Sequence, residues 1–424
     1  MKKIILALLI NLIFTQTSVF TLCEGNFQSN NASLWYFNNE NGEEIFEAPN
    51  NPIGDTGQSM TVYENKLYAI MNASGLIHIY NITQNGLEFD HSYDTQFAGP
   101  RHLLIVNDLI YITEWNTNQI RVLDLNSESI IATIPVNGLP EDIITNGEFI
   151  YVSITMNSDW SSANSVIELD LNTNQITREF TVGNNPEKLV IIDNNLFVSS
   201  TFYDQFWYSH YTISRINLAS QNGNNFIYED NSGLIFGSDL TIVNGNLFRS
   251  TSSGAIKINL ENLNIIEGSE IGALSNVYSM DYYNEKFYFG TTDFVAPDEI
   301  FITDINGNTI SSFSVGAIPG SFAFWESELE LTSIKHLNEF RILNSYPNPF
   351  NPIITFEINI EKNDFIRADI FNINGELVEQ LIHNKLTKGI HQLSWDAESK
   401  PSGIYFLKIS TNFQSITEKI TLQK

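Results

Sequence analysis

Pro100-Arg101-His102-Leu103, Pro140-Glu141-Asp142-Ile143 and Pro186-Glu187-Lys188-Leu189 repeat one pattern: a proline, two polar residues, then the first apolar residue of a short strand. Looser versions stand at Gly57-Gln58-Ser59-Met60, Gly237-Ser238-Asp239-Leu240, Val277-Tyr278-Ser279-Met280 and Pro319-Gly320-Ser321-Phe322. Successive starts lie 43, 40, 46, 51, 40 and 42 residues apart. Each of the first six leads through a polar turn to a second apolar run, such as Ile110-Tyr111-Ile112 or Ile150-Tyr151-Val152. An alternating third strand follows, as in Ile120-Arg121-Val122-Leu123-Asp124-Leu125, and then a turn into a fourth. Four short strands in a repeat of roughly 40–45 residues predict a propeller blade.

Seven starts but six complete units imply that both ends of the body build the last blade. After Pro319 one strand remains, Ser321-Phe322-Ala323-Phe324-Trp325. The missing three are expected from Val19-Phe20-Thr21-Leu22-Cys23, Ser33-Leu34-Trp35-Tyr36-Phe37 and Glu44-Ile45-Phe46-Glu47. Such a closure removes sheet edges that would otherwise invite aggregation. The fold class is therefore all-β: a seven-bladed β-propeller closed by N- and C-terminal strands, then a small immunoglobulin-like β-sandwich.

Charge divides the chain at the same place. Of 49 acidic and 21 basic residues, 40 and 10 fall in 24–340, whereas 341–424 holds 9 of each. An acidic body of −30 disfavours nucleic acid and anionic membranes as partners. Lys2 and Lys3 before the apolar run Ile4 to Phe14 read as a secretory signal, too short to span a bilayer, and no later segment is a transmembrane candidate. Small residues in Thr15-Gln16-Thr17 place cleavage before Ser18. Leu22 stands where a lipid-attachment motif wants a small residue, so Cys23, the only cysteine, is expected to be a buried, inert thiol. The organisation read from the chain is 1–17 signal peptide, 18–326 propeller, 327–340 linker and 341–424 tail domain.

Ile134-Pro135-Val136-Asn137-Gly138-Leu139-Pro140-Glu141-Asp142, Thr181-Val182-Gly183-Asn184-Asn185-Pro186-Glu187-Lys188 and the Leu-Asp-Leu-Asn third strands resemble the seven-bladed YVTN-type surface propellers of bacteria and archaea. In the tail, Tyr346-Pro347-Asn348-Pro349-Phe350-Asn351-Pro352, the turn at Gly375, Trp395-Asp396 and Ser402-Gly403-Ile404-Tyr405 resemble the type A C-terminal sorting domain of type IX secretion cargo. One departure is Ala397, where glycine often follows Trp-Asp. The resemblance implies recognition of the tail by the type IX machinery and a location outside the cell or on the outer-membrane surface, reached through the periplasm. Without it, the same residues read as a small antiparallel sandwich with one core tryptophan, or an ordinary binding module.

In a propeller the residues after each start signal ring one mouth of the channel, beside the loops joining second and third strands. The candidate ligand-binding residues there are Arg101, His102, Glu141, Asp142, Glu187, Lys188 and Asp239. Trp115 and two insertions join them: Met156 to Ala163, with Trp160, and Phe202 to Tyr211, with Tyr203, Trp207 and Tyr208. Exposed rings would stack on sugars or a protein partner; the same rings would equally serve to cap blade ends. A binding or adhesion module for a glycan or protein is expected over an enzyme. The alternative is a hydrolase or lyase in the channel mouth, marked by three or more of Arg101, His102, Glu141, Glu187 and Asp239 gathering around one cavity. No metal site and no cofactor are expected; calcium on Glu141, Asp142, Glu187 and Asp239, as in gluconolactonase-like propellers, competes with pairing to Arg101 and Lys188.

Overall fold

The computed structural model describes residues 15–37, 45–83, 86–220, 225–230, 232–328, 340–360, 364–411 and 415–424. The signal segment before Thr15, Glu44, and most of the 327–340 linker lie outside the described residues. The chain forms two compact units, Thr15–Ser327 and one containing Glu328–Lys424. Every regular element described is a strand, and no helix there is long and apolar enough to cross a membrane.

The first unit consists of seven antiparallel sheets. Six follow the repeat, as blades 57–94, 100–135, 139–181, 186–230, 236–258 and 277–315. The seventh joins Pro319–Glu328 to Thr15–Cys23, Ser33–Phe37 and Phe46–Glu47, so both ends of the unit share one blade as expected. Val19 to Cys23 pair with Phe37 back to Ser33. Cys23 is fully buried, and burial pushes its thiol up to about 12. The strand begins at Thr15, three residues before the expected cleavage point.

Side chains alternate across each strand, and both faces of a blade are buried, which is why the strands read as almost continuous apolar runs. In the first blade Leu67, Ala69 and Met71 face the seventh, whereas Tyr68 and Ile70 face the second. One apolar cluster fills each of the seven seams between neighbours, including the seam where Val19, Cys23 and Phe322 meet Tyr288 and Ile300.

Polar bonds cross the same seams. The first strand loses ladder register between Pro100 and Leu103, Pro140 and Ile143, and Pro186 and Leu189. Carbonyls in these bulges turn toward the preceding blade, where hydroxyls meet them: Thr113 Oγ1 donates to Glu141 O (2.8 Å), Ser153 Oγ to Glu187 O (2.9 Å) and Ser199 Oγ to Ser238 O (2.5 Å). Where the second strand carries Ile70 or Gly290 instead, its cross-strand neighbour supplies the hydroxyl. Ser59 donates to Arg101 O (2.7 Å) and Ser279 to Pro319 O (2.6 Å).

One detail departs from the sequence reading. The blade at 236–258 has three described strands, with bridges Ala255↔Ile271 and Ile258↔Ile265 in place of a fourth. Asn259 caps the amides of Glu261 and Asn262 and turns the chain away from a long ladder.

The second unit is a sandwich of sheets with three and four strands. Trp395 is fully buried between Phe350 and Tyr405, with ring centroids at 5.5 and 5.1 Å. Its indole nitrogen donates to Glu379, and the Tyr405 hydroxyl donates to Pro401 O. The Tyr346 to Pro352 stretch is stitched to the last strand: Asn348 Oδ1 accepts Thr421 N (3.0 Å), and Phe350 N donates to Thr421 O (2.9 Å). Ala397 is completely buried and donates its amide to Pro352 O, so the departure from glycine is accommodated by packing.

Ser153→Ala tests the seam bond. It strands the Glu187 carbonyl and is expected to cost about 1–3 kcal/mol in urea unfolding, against less than about 0.5 kcal/mol for an exposed serine such as Ser158.

Candidate functional site

The register break at each first strand does more than join blades. It releases two consecutive side chains from the pleat, and those of successive blades converge on one mouth of the channel. A cavity of about 570 Å³ opens there, lined by Arg101, His102, Glu141, Glu187, Lys188 and Asp239, among others. All five residues of the enzyme criterion therefore surround one space.

Their bonds are unequal. Arg101 grips Glu141 with two nitrogens, at 2.9 and 2.7 Å, reaches Gln58 with the third, and lays its guanidinium 4.0 Å from the Trp115 ring centre. Burial alone would raise the Glu141 carboxyl; Arg101 and His102 outweigh it and hold the group at about 2. His102 lies 3.5 Å from Glu141 and 3.6 Å from Asp142. Asp142 and Asp239 serve the next blade: their carboxylates accept Leu189 N and Met280 N, both at 2.8 Å. Asp298 does the same for Ile318 N at 2.7 Å.

Other acids in the channel are held near neutrality. Burial pushes Glu24 up to about 7 although the Tyr278 hydroxyl donates to it, and Glu187 up to about 7 despite Arg249 and Thr201. Asp281 is raised to about 7 for the same reason. Lys188 is raised above its usual value because Asp142, Asp239, Glu141 and Asp281 outweigh its burial. Among the described residues no His, Cys, Asp and Glu side chains form a group of three fit to hold a metal ion.

The two insertions form hairpin tips of one design. Asn157 N bonds Ser161 O and Trp160 N bonds Asn157 O; Asp204 N bonds Tyr208 O and Trp207 N bonds Asp204 O. Both tryptophans sit in the left-handed region, at φ 68° and 65°, and are 61% and 83% exposed. Asp204 also caps Phe206 N and Tyr208 N, while His210, stacked on Phe202, stands between Asp204 and Glu229. Tyr203, Phe206 and Tyr208 are exposed, whereas Tyr211 packs on Phe236 in the core. The six rings thus divide between display and capping. Trp160 meets Trp115 edge to face at 5.7 Å.

Sequence reasoning passed over several groups here. Phe27, Phe97 and Phe294 are exposed on loops of the same face, and the last two also have positive φ. Arg249 is fully buried and donates to Gly237 O in its own blade and to Thr212 O and Ser200 O across a seam. Its signal was present: a charge at the place where other blades carry Ile112, Val152 or Val198.

A carboxyl raised on folding binds more protons in the native state than in the unfolded one between its two pKa values, so its stability contribution falls as pH rises through that window. Glu187, raised from 4.5 to about 7, should make the protein more stable near pH 5 than near pH 7.5. Glu187→Gln is expected to flatten that part of a Tm-versus-pH curve. An unchanged slope would remove Glu187 as its source.

Residues 344–423 match the family described as Secretion system C-terminal sorting domain. No curated protein matches the chain. Among solved structures, the body is similar to a functionally unknown protein from Desulfotomaculum acetoxidans, at 11% identity and TM-score 0.55, over 72% of this chain and 98% of that one. It is also similar to putative 6-phosphogluconolactonases from Bacteroides uniformis (10%, TM-score 0.54, 73% and 99% covered) and Bacteroides fragilis (12%, 0.53, 73% and 98%). At such identities the likeness concerns the propeller fold alone. The tail is a sorting domain, which implies type IX export to the cell surface or beyond.

Proposed function

We propose that this protein is a surface-displayed or released β-propeller that binds a glycan across the mouth of its channel. The observation that carries the reading is the pair of exposed tryptophans, Trp160 and Trp207, held with positive φ on matching turns beside a polar cavity. A large ring gains nothing from solvent, and left-handed backbone costs a non-glycine residue about 1–3 kcal/mol, so such turns fit a surface built to present rings. Sugars offer apolar faces for stacking and hydroxyls for the polar mouth. The likeness of the repeats to YVTN-type surface propellers fits the same role. The N-terminal 17 residues act as the secretory signal, and residues 341–424 serve as an address with no part in binding.

A second reading, a hydrolase or lyase, rests on Arg101, His102, Glu141, Glu187 and Asp239 lining one cavity. Glu187 is the natural general acid or base in it, being held near neutrality, while Glu141 is occupied by Arg101. Turnover of a bound glycan that disappears in Glu187→Gln would favour this reading over simple binding.

Binding is measured on a glycan array followed by calorimetry. Trp207→Ala and Trp160→Ala are expected to weaken the best ligand by about 1–3 kcal/mol each with Tm unchanged. Equal binding by wild type and both variants would remove the rings from the site. Deletion of 341–424 should leave a folded propeller in the periplasm; its normal appearance on the surface would sink the sorting role.

A further inference from the structure

The mouth cavity has an imbalance of hydrogen-bonding capacity that bears on the ligand. Its arginines are committed. Arg101 is spent on Glu141 and Gln58. Arg249, just behind the wall, is spent on three main-chain carbonyls. Lys188 lies in the field of Asp142, Asp239, Glu141 and Asp281.

The acceptors are less fully used. Only Oε1 of Glu24 receives the Tyr278 hydroxyl, and only Oδ2 of Asp239 receives an amide. The buried Oε2 of Glu187 has no hydrogen-bond partner. A buried carboxylate oxygen left unpaired is costly, and a ligand donor would relieve that cost. Beside Glu187 the cavity wall is aromatic and apolar, formed by Tyr203, Tyr211, Ile235 and Phe236. Carboxylates next to aromatic faces are the chemistry that recognises an organic cation. The body around the mouth carries −30, which draws cations to it and repels anions.

We propose that the cavity receives a protonated amine carried on a sugar ring, so that the ligand is an amino-sugar glycan with free amines. This rests on the glycan reading above and narrows it. Glu187 and Asp239 accept from the ammonium group, the wall of Tyr203 and Phe236 packs on the ring that bears it, and the exposed tryptophans hold neighbouring sugars of the chain. An N-acetylated sugar loses the charge and two of the donors, and an acidic sugar meets repulsion.

The test uses the full chain and two probes of equal length, a hexamer of β-1,4-linked glucosamine and its fully N-acetylated counterpart, titrated at moderate salt. The deacetylated hexamer is expected to bind at least about tenfold more tightly than the acetylated one. Glu187→Gln should erase most of that difference. Glu267→Gln, an equal charge change on an exposed residue, should leave both affinities unchanged. Because the wild-type comparison needs no variant, a misfolded mutant cannot decide the matter.

Equal affinity for the two hexamers overturns the amine proposal while the glycan reading stands. Equal losses in Glu187→Gln and Glu267→Gln also overturn it, since they would reveal general attraction of a polycation. Binding to neither hexamer, with binding to a lysine-rich peptide, overturns this proposal and the glycan reading together.

Discussion

The hydroxyl-to-carbonyl bond that crosses five of the seven blade seams is the constraint from which much of the body follows. A strand that stays in register keeps all its carbonyls in its own sheet and offers nothing to a neighbour. The bulged first strands release carbonyls at Arg101, Glu141, Glu187 and Ser238, and these lie in or at the edge of the seam, so each takes a donor from the preceding sheet. Thr113, Ser153 and Ser199 provide it, and where Ile70 and Gly290 cannot, Ser59 and Ser279 on the facing strand do. Gly290 leaves no room for an alternative, because a Cβ there would meet Pro319 O at 2.2 Å. Apolar clusters hold the seams together, but they are non-directional; the polar bonds fix how far one blade stands from the next.

The same interruption creates the site. Side chains that leave the ladder at 101–102, 141–142 and 187–188 have no pleat to lie on and turn into the channel. Some are then taken back for structure. Asp142 and Asp239 accept amides that the bulge of the following blade leaves unpaired, so their negative charge is part of the ring's construction. The acidity of the body thus has a local cause as well as a colloidal one. It also explains why Glu24, Glu187 and Asp281 sit near neutrality, as each is buried beside carboxylates that cannot be dispensed with.

Much of this was legible beforehand. Proline or glycine opens six of the seven blade starts, Val277 standing at the other, and the surplus of starts over complete units implied the shared seventh blade. Tail residues were legible through their resemblance to a sorting domain, and Asn348, Phe350, Trp395 and Tyr405 each make a bond or packing contact in the two sheets. What a residue's partner would be was hidden. Asp142 and Glu141 are neighbours of one type, yet one pairs with an arginine and the other with a main-chain amide. The ten-residue insertion also hid its division, since Tyr211 in the core and Trp207 in solvent look alike as aromatic letters. Only the recurrence of an Asn or Asp three residues before a tryptophan, at Asn157 and Asp204, distinguished the tips.

Those tips carry the argument about function further than the cavity does. Positive φ at Trp160, Trp207, Phe97 and Phe294 is unfavourable for each bulky residue, and little of the cost is recovered by burial, because all four side chains are mostly exposed. These four belong to loops on the face that opens into the channel; the other bulky apolar residues with positive φ among the described ones, Leu263 and Ile318, are buried. The turns are also stiffened: Asp204 fixes its tip through two amides and is itself held by His210, which Glu229 and Phe202 anchor. Rigid, exposed rings lose little entropy on meeting a partner. Backbone strain that keeps rings fixed and solvent-facing on one face is what supports the binding role proposed above.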